Sequence, residues 1–292
     1  MCSQFEIAWV FFNTDRLTSQ IMTYAGFLLI FLIVPIWPLT ALVVYDRSKG
    51  MSRNLSSGRW LLGYSFLLLV FIAVIYTTPW DNYLVATGVW WYDASKVWGI
   101  TLGWVPLEEY LFFILQPILV GLWLLFLTPR FSIVNPRQEK DRAVQRGLTL
   151  MTFFSWMLSL ILLNLRGSAT YLGLEIAWAL PAITLQLAFG GDILWRNRKL
   201  ILLALIPTTL YLSLADAIAI QFGVWTINPT KSLGVLLAGV LPLEEFVFFL
   251  LTNVLVAFGF VLIWSPESHA RLKHGWQKFK GGNRIKALSE EP

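Results

Sequence analysis

Pro106-Leu107-Glu108-Glu109-Tyr110-Leu111-Phe112-Phe113 opens one long apolar stretch of the chain, and Pro242-Leu243-Glu244-Glu245-Phe246-Val247-Phe248-Phe249 opens another. A carboxylate inside a bilayer costs roughly 2.5–3.5 kcal/mol on insertion scales, so such residues are rare and read as functional by default. Here a Glu pair stands at that place twice. Chemistry is expected at those four carboxylates.

The surrounding composition supports a membrane setting. Of 292 residues, 57% are hydrophobic and only 13% charged, and mean hydropathy is +0.66, far from a soluble average. Seven stretches approach the ~20 apolar residues that cross a bilayer core. They lie near 21–45, 60–78, 101–127, 148–165, 171–191, 200–220 and 235–264. The expected fold class is therefore all-α, a polytopic membrane protein of seven transmembrane helices.

Charge sorts the connections. The loops near 46–59, 128–147 and 192–199 and the tail after 264 hold four, five, three and six Lys or Arg. The other side holds only Arg16, Lys96, Arg166 and Lys231. The positive-inside rule then puts the N-terminus outside and the C-terminus in the cytoplasm. The net charge of +5 reads as this topogenic signal, and no nucleic-acid partner is expected. The basic tail from Arg271 to Lys286 reads mainly as a solvated cytoplasmic segment, with anionic head groups as a secondary reading. Cys2 is the single cysteine, which excludes an internal disulfide and any Cys-based metal cluster.

The Glu pairs belong to a longer repeat. A shift of 135 residues lays Asp81 on Asp216, Gly88 on Gly223, Val89 on Val224 and Trp90 on Trp225. One inserted residue then brings Pro106, Glu108, Glu109, Phe112 and Phe113 onto Pro242, Glu244, Glu245, Phe248 and Phe249. Asp46 and Asp192 match upstream, each ending a helix before a basic loop. This pattern implies a 3+1+3 parallel internal duplication. Its parts are a first three-helix repeat (1–128), a basic loop and linker helix (129–168), a second repeat (169–265) and a basic cytoplasmic tail (266–292). The copies differ at Asp93 against Asn228, Trp91 against Thr226 and Gln116 against Thr252. Two such halves about an axis along the membrane normal bring both Glu pairs to one cavity in the outer half of the bilayer.

Helical spacing places Glu109 over Phe112, Phe113 and Gln116, and Glu245 over Phe248, Phe249 and Thr252. Glu108 and Glu244 lie about 100° around, so either member of a pair is a candidate. One member of each pair is a candidate for hydrogen bonding that merely ties down a neighbouring helix. Apolar surroundings favour the protonated form of a carboxyl, and two carboxyls at close range rarely ionise together. A duplicated Glu-Glu therefore supplies a general acid and a general base. Asp81 and Asp216, assigned to the outward loops after helices 2 and 6, either polarise those acids or cap outward helices. Many tryptophans, among them Trp80, Trp90, Trp91, Trp98, Trp104 and Trp225, gather near the outward helix ends, where an aromatic belt is the ordinary reading. Phe112, Phe113, Phe248 and Phe249 sit one turn deeper, beside the acids, where ring faces stabilise a cation by ~0.5–2 kcal/mol each. Acids, rings and an apolar cavity suggest carbocation chemistry on a lipid. No Gly-x-Gly-x-x-Gly after a strand, Walker motif or His-Glu-x-x-His is present, so no cofactor and no metal is expected.

At these residues the chain resembles the membrane-integral lycopene cyclases. That family carries Pro-x-Glu-(Glu/Asp) in each half, together with motifs similar to Thr78-Pro79-Trp80-Asp81-Asn82-Tyr83, Gly88-Val89-Trp90-Trp91-Tyr92-Asp93 and Gly223-Val224-Trp225-Thr226-Ile227-Asn228. The resemblance covers roughly 20–265 and looks like the fused form of the two-subunit enzymes, or the cyclase part of the fungal bifunctional enzyme. It implies an intramolecular lyase or isomerase of carotenoid biosynthesis. The reaction would be lycopene β-cyclisation to β-carotene, acting on lycopene and other long apolar carotenoids drawn from membrane lipid. Glu108, Glu109, Glu244, Glu245, Asp81 and Asp216 would then be catalytic, with Phe112, Phe113, Phe248, Phe249, Trp90 and Trp225 against the substrate. Alternatives are a related carotenoid enzyme (ε-, γ- or C50-cyclase, or hydratase) and a transporter sharing the 3+1+3 plan of the SWEETs. Against transport, the stripes beside the acids are mainly Phe, Leu and Val. Ring type, oligomeric state and the identity of the membrane are not legible in these residues.

Overall fold

The computed structural model describes residues 22–51, 59–131, 141–163, 167–274 and 276–277. Cys2, Arg16, Arg53, Arg137, Lys140, Arg166 and the tail beyond 277, all used above, lie outside the described residues. The helices are α1 (Tyr24–Ser48, with a π-helical segment over Leu29–Ile33), α2 (Arg59–Ala86) and α3 (Leu107–Leu127). They continue as α4 (Arg142–Leu163), α5 (Thr170–Arg196), α6 (Arg198–Gln221) and α7 (Leu243–Trp264). Six of them, α1–α3 and α5–α7, are long and apolar enough to cross a membrane. α4 coincides with the stretch expected near 148–165 but is not among the six. Arg142, Gln145 and Arg146 occupy its start, leaving 148–163 as apolar helix. At 1.5 Å per residue that is about 24 Å, short of a ~30 Å core.

The chain is mostly helical, and among the described residues six short strands accompany the helices: β1 (Trp90–Tyr92), β2 (Thr101–Leu102), β3 (Val105–Pro106), β4 (Trp225–Ile227), β5 (Leu236–Leu237) and β6 (Leu241–Pro242). β2–β3 and β5–β6 are hairpins leading into α3 and α7, so those helices start at 107 and 243, later than the apolar runs suggested. β1 and β4 pair antiparallel across the molecule, with Trp91 opposite Thr226.

The helix ends before β1 and β4 explain the Gly-Val-Trp repeat. Gly88 and Gly223 have φ of 67° and 64°, a region glycine enters without penalty. After α2, the Gly88 N–H bonds the Val85 carbonyl (3.0 Å) and the Val89 N–H bonds that of Leu84 (2.9 Å). After α6, Gly223 bonds Ile220 (2.9 Å) and Val224 bonds Ala219 (3.0 Å). Both are Schellman endings, closed by paired bonds onto the last helical turns. Each turn then aims a Trp inward.

α3 and α7 form the centre. Gly121 lets them approach, since a Cβ there would lie 2.5 Å from the Phe260 ring. At mid-height the Gln116 amide donates to Asn253 at 2.6 Å, and Asn253 donates to Thr209 at 3.0 Å. α4 lies outside this core against α5, where the Trp156 indole donates to the Ala177 carbonyl (3.1 Å). On the face carrying the basic loops, Arg130 bonds Asp46 at 2.6 Å and Arg271 bonds Asp192 at 2.5 Å. Both helix-ending aspartates therefore hold an arginine.

Candidate active site

The two Glu pairs split. Glu108 is fully buried and turns back to the segment before its own hairpin, where Oε1 accepts the Trp98 N–H at 2.5 Å. Glu244, equally buried, accepts the Leu233 N–H at 2.6 Å and the Ser232 hydroxyl at 3.1 Å. Neither borders the central chamber. Glu109 and Glu245 do. The cause is the 100° step between neighbours on a helix: with the hairpin packed over the first turn, one carboxylate meets the loop and the next faces inward.

Glu109 accepts two phenols on Oε2, from Tyr24 of α1 and from Tyr92 of β1, the latter at 2.9 Å. Glu245 accepts one, from Tyr171 of α5 at 2.8 Å. Ile227, one residue from the strand centre where Tyr92 stands in the other copy, offers no hydroxyl. Desolvation, with Asp81 and Glu109 close by, pushes the Tyr92 phenol well above its ordinary range, so it remains a donor. Both helix N-termini point their positive dipole ends at these carboxyls.

Asp81 and Asp216 line the same chamber, which corrects their assignment to outward loops. α2 runs on to Ala86 and α6 to Gln221, so both lie within helices, 1% exposed, and neither is a helix cap. Asp216 accepts the Trp225 indole N–H at 2.9 Å. Among the described residues neither oxygen of Asp81 has a hydrogen-bond partner. A buried carboxyl without donors is far cheaper neutral than ionised.

The remaining walls are rings. Phe112, Phe113, Phe248 and Phe249 line the chamber as expected, with Phe112 edge-on to Phe249 at 6.1 Å. Trp80, Trp90 and Trp225 are buried there and do not belong to a surface belt. Trp91, Trp98 and Trp104 are exposed, as a belt requires. The open volume is about 40 Å³, so a guest larger than water enters only as the surrounding rings shift. Trp80, read from the sequence only as a belt residue, stacks on Phe248 at 5.8 Å. Three residues at the chamber or beside it were not singled out from the sequence. Tyr24 and Tyr171 hold the inner glutamates. Glu175 of α5, fully buried, has no hydrogen-bond partner among the described residues. A signal existed for the tyrosines: Tyr24 and Gly26 match Tyr171 and Gly173 at a shift of 147 residues.

A family model described as lycopene cyclase matches residues 50–127 and 168–263, the segments that carry this chamber apart from α1. The chain belongs to the lycopene cyclase family. A lycopene beta-cyclase of Halobacterium salinarum is 40% identical over 197 residues, covering 67% of this chain and 80% of that protein. A bifunctional lycopene cyclase/phytoene synthase of Leptosphaeria maculans is 36% identical over 207 residues, 67% of this chain and 35% of the fungal protein. Its counterpart in Podospora anserina is 33% identical over 199 residues, 65% of this chain and 33% of that protein. No solved structure matches the chain. Lycopene cyclases catalyse an intramolecular ring closure, which needs a proton donor and a proton acceptor on one apolar end group. The chamber has both kinds of group.

Proposed function

We propose that this chain is a lycopene β-cyclase, held in a membrane by seven spans with the N-terminus outside and the C-terminus in the cytoplasm. The observation that carries the reading is the convergence of Glu109 and Glu245, from different helices, on one ring-lined chamber. Family membership and the 40% identity to the halobacterial β-cyclase support the substrate and ring type. For α4, the arginines at its start can snorkel to the interface and extend a short apolar run.

The 3+1+3 arrangement, with repeats at 1–128 and 169–265 about the linker at 129–168, is supported by contacts that recur in pairs. The Tyr24 N–H bonds the Lys96 carbonyl (2.9 Å) as the Tyr171 N–H bonds that of Lys231 (3.0 Å). The Lys96 ammonium reaches the Phe222 carbonyl, and the Lys231 ammonium reaches that of Thr87. The strand pair is centred on Trp91 and Thr226, themselves 135 residues apart.

In the reaction a proton adds to the terminal double bond of a ψ-end. The resulting tertiary cation is captured by the neighbouring alkene, forming the ring bond. Loss of a ring proton restores a double bond, so no electron or atom is gained overall. Two phenol donors on one oxygen suit an ionised carboxylate, which makes Glu109 the base. Glu245, with one donor, is the acid. Each turnover moves one proton from Glu245 to Glu109. Asp81 and Asp216, in the same chamber, are placed to carry it back. Phe112, Phe113, Phe248 and Phe249 shield the cation from water and offer it their faces.

Expression in lycopene-accumulating cells tests this directly. Chromatography should show β-carotene with the native chain and unconverted lycopene with Glu245→Gln. Absence of any cyclic product from well-expressed native protein would overturn the reading.

A further inference from the structure

The chamber has a lateral neighbour. Between α2 and α5 lies a cleft of about 350 Å³, and Phe112, Phe113 and Phe248 line both it and the chamber. Its outer lip is exposed at Ile72 and Leu185. Most of its polar side chains donate to other protein groups: Gln116 to Asn253 (2.6 Å), Gln186 to the Leu255 carbonyl (2.9 Å) and Thr252 to the Phe248 carbonyl (2.8 Å). Apart from Thr77 and the Gln186 side-chain oxygen, what remains is a hydrocarbon surface. A ladder of near-parallel rings joins lip to chamber. Tyr76 stacks on Trp178 (5.5 Å, 25°), Trp178 on Trp80 (4.4 Å, 17°), and Trp80 on Phe248 (5.8 Å, 8°). Rings stacked in this way cover one another's faces and turn their edges to the cleft, and an edge meets the π face of a conjugated chain in the favoured edge-to-face arrangement.

A second cleft of about 450 Å³, between α1 and α6, occupies the matching place in the other half. Tyr211 borders it as Tyr76 borders the first. Their hydroxyls bond the Phe31 carbonyl (2.9 Å) and the Trp178 carbonyl (2.7 Å) respectively. Here the likeness stops. No residue lining this cleft also lines the chamber. The shift that pairs Asp81 with Asp216 pairs Trp80 with Ala215, so the ring ladder is missing.

We propose that the α2–α5 cleft is the substrate channel, holding the conjugated tail of a long linear polyene hydrocarbon while its leading end occupies the chamber, and that the α1–α6 cleft has no such role. The identity of the polyene rests on the cyclase reading. One channel for a molecule with two identical ends means one ring per binding event. The half-cyclised product must withdraw and present its other end.

The test uses the full chain in lipid nanodiscs with lycopene. An achiral polyene gains circular dichroism in its visible band only when held in chiral surroundings, which reads binding without turnover. Ala182→Trp and Ala73→Trp fill the α2–α5 cleft, and Leu42→Trp fills the other. The first two should each weaken the induced signal and lower conversion at least tenfold, with Leu42→Trp at native levels and a monocyclic product appearing early in the native reaction. Melting curves establish folding, and if Ala182→Trp does not fold, Ala73→Trp decides. A folded cleft-filling variant with the native signal overturns the channel, as does a loss confined to Leu42→Trp or no induced signal in the native chain. A native chain that binds lycopene in this way yet forms no ring leaves the channel standing and removes the cyclase reading.

Discussion

Tyr171 on α5 donates its hydroxyl to Glu245 on α7 at 2.8 Å. Its backbone is fixed in turn, since the Tyr171 N–H bonds the Lys231 carbonyl at 3.0 Å. Helix start, loop and carboxyl thus form one chain of contacts. A hydrogen bond to a charged group contributes about 1.5–3 kcal/mol, or roughly 10–100-fold in rate if it is made where the proton moves. Tyr171→Phe should therefore fold and insert normally yet cyclise lycopene about 10–100-fold more slowly, measured as initial rate per folded protein.

The split within each Glu pair separates two phenotypes. Glu109→Gln and Glu245→Gln keep size and hydrogen bonding but cannot exchange a proton, and general acid–base groups contribute about 10²–10⁴-fold. Losses of that order are expected at unchanged melting temperature. Glu108→Gln and Glu244→Gln keep an acceptor for the Trp98 and Leu233 N–H groups. They should retain activity within about tenfold, since a lost loop contact acts only through positioning, and should instead lower the melting temperature. Product chromatography and thermal unfolding on the same four preparations distinguish the outcomes.

Gln116 and Asn253 meet between α3 and α7, away from the acids. Gln116→Leu strands the Asn253 side-chain oxygen in an apolar environment, at a cost of about 1–3 kcal/mol. Melting in detergent should fall. Ring closure per folded molecule should stay within about threefold, because neither side chain lines the chamber and leucine at 116 keeps the wall of the α2–α5 cleft apolar. The double variant Gln116→Leu/Asn253→Leu should recover part of the loss.

Gly121 leaves room for the Phe260 ring of α7 against α3. An added Cβ would meet Phe260 at 2.5 Å and Phe66 at 2.6 Å, and small residues are what allow membrane helices to pack this closely. Gly121→Ala should destabilise by about 1–3 kcal/mol through overpacking, visible as a lower melting temperature with the same product.

The helical plan was legible because a bilayer forces long apolar runs, and Arg and Lys mark their ends. The strands were not: Thr101–Pro106 and Leu236–Pro242 read as the beginnings of helices, since two-residue strands carry no periodicity. Those hairpins decide which Glu of each pair turns inward, so that choice could not be made from helical spacing alone. Asp81 reads as a loop residue because the second apolar stretch ends near 78, whereas α2 continues through Pro79 to Ala86. Tyr24 and Tyr171 escaped notice because each lies far in sequence from the glutamate it serves, by 85 and 74 residues.

The pairing of β1 with β4 is made by main-chain groups, which are the same in every residue apart from proline. Trp91 can face Thr226, and Tyr92 can face Trp225, without disturbing the register between them. Selection is thereby free to rewrite side chains on one flank and leave the other alone while alignment is preserved. A molecule built in that way can assign unequal tasks to its two sides and remain a single machine.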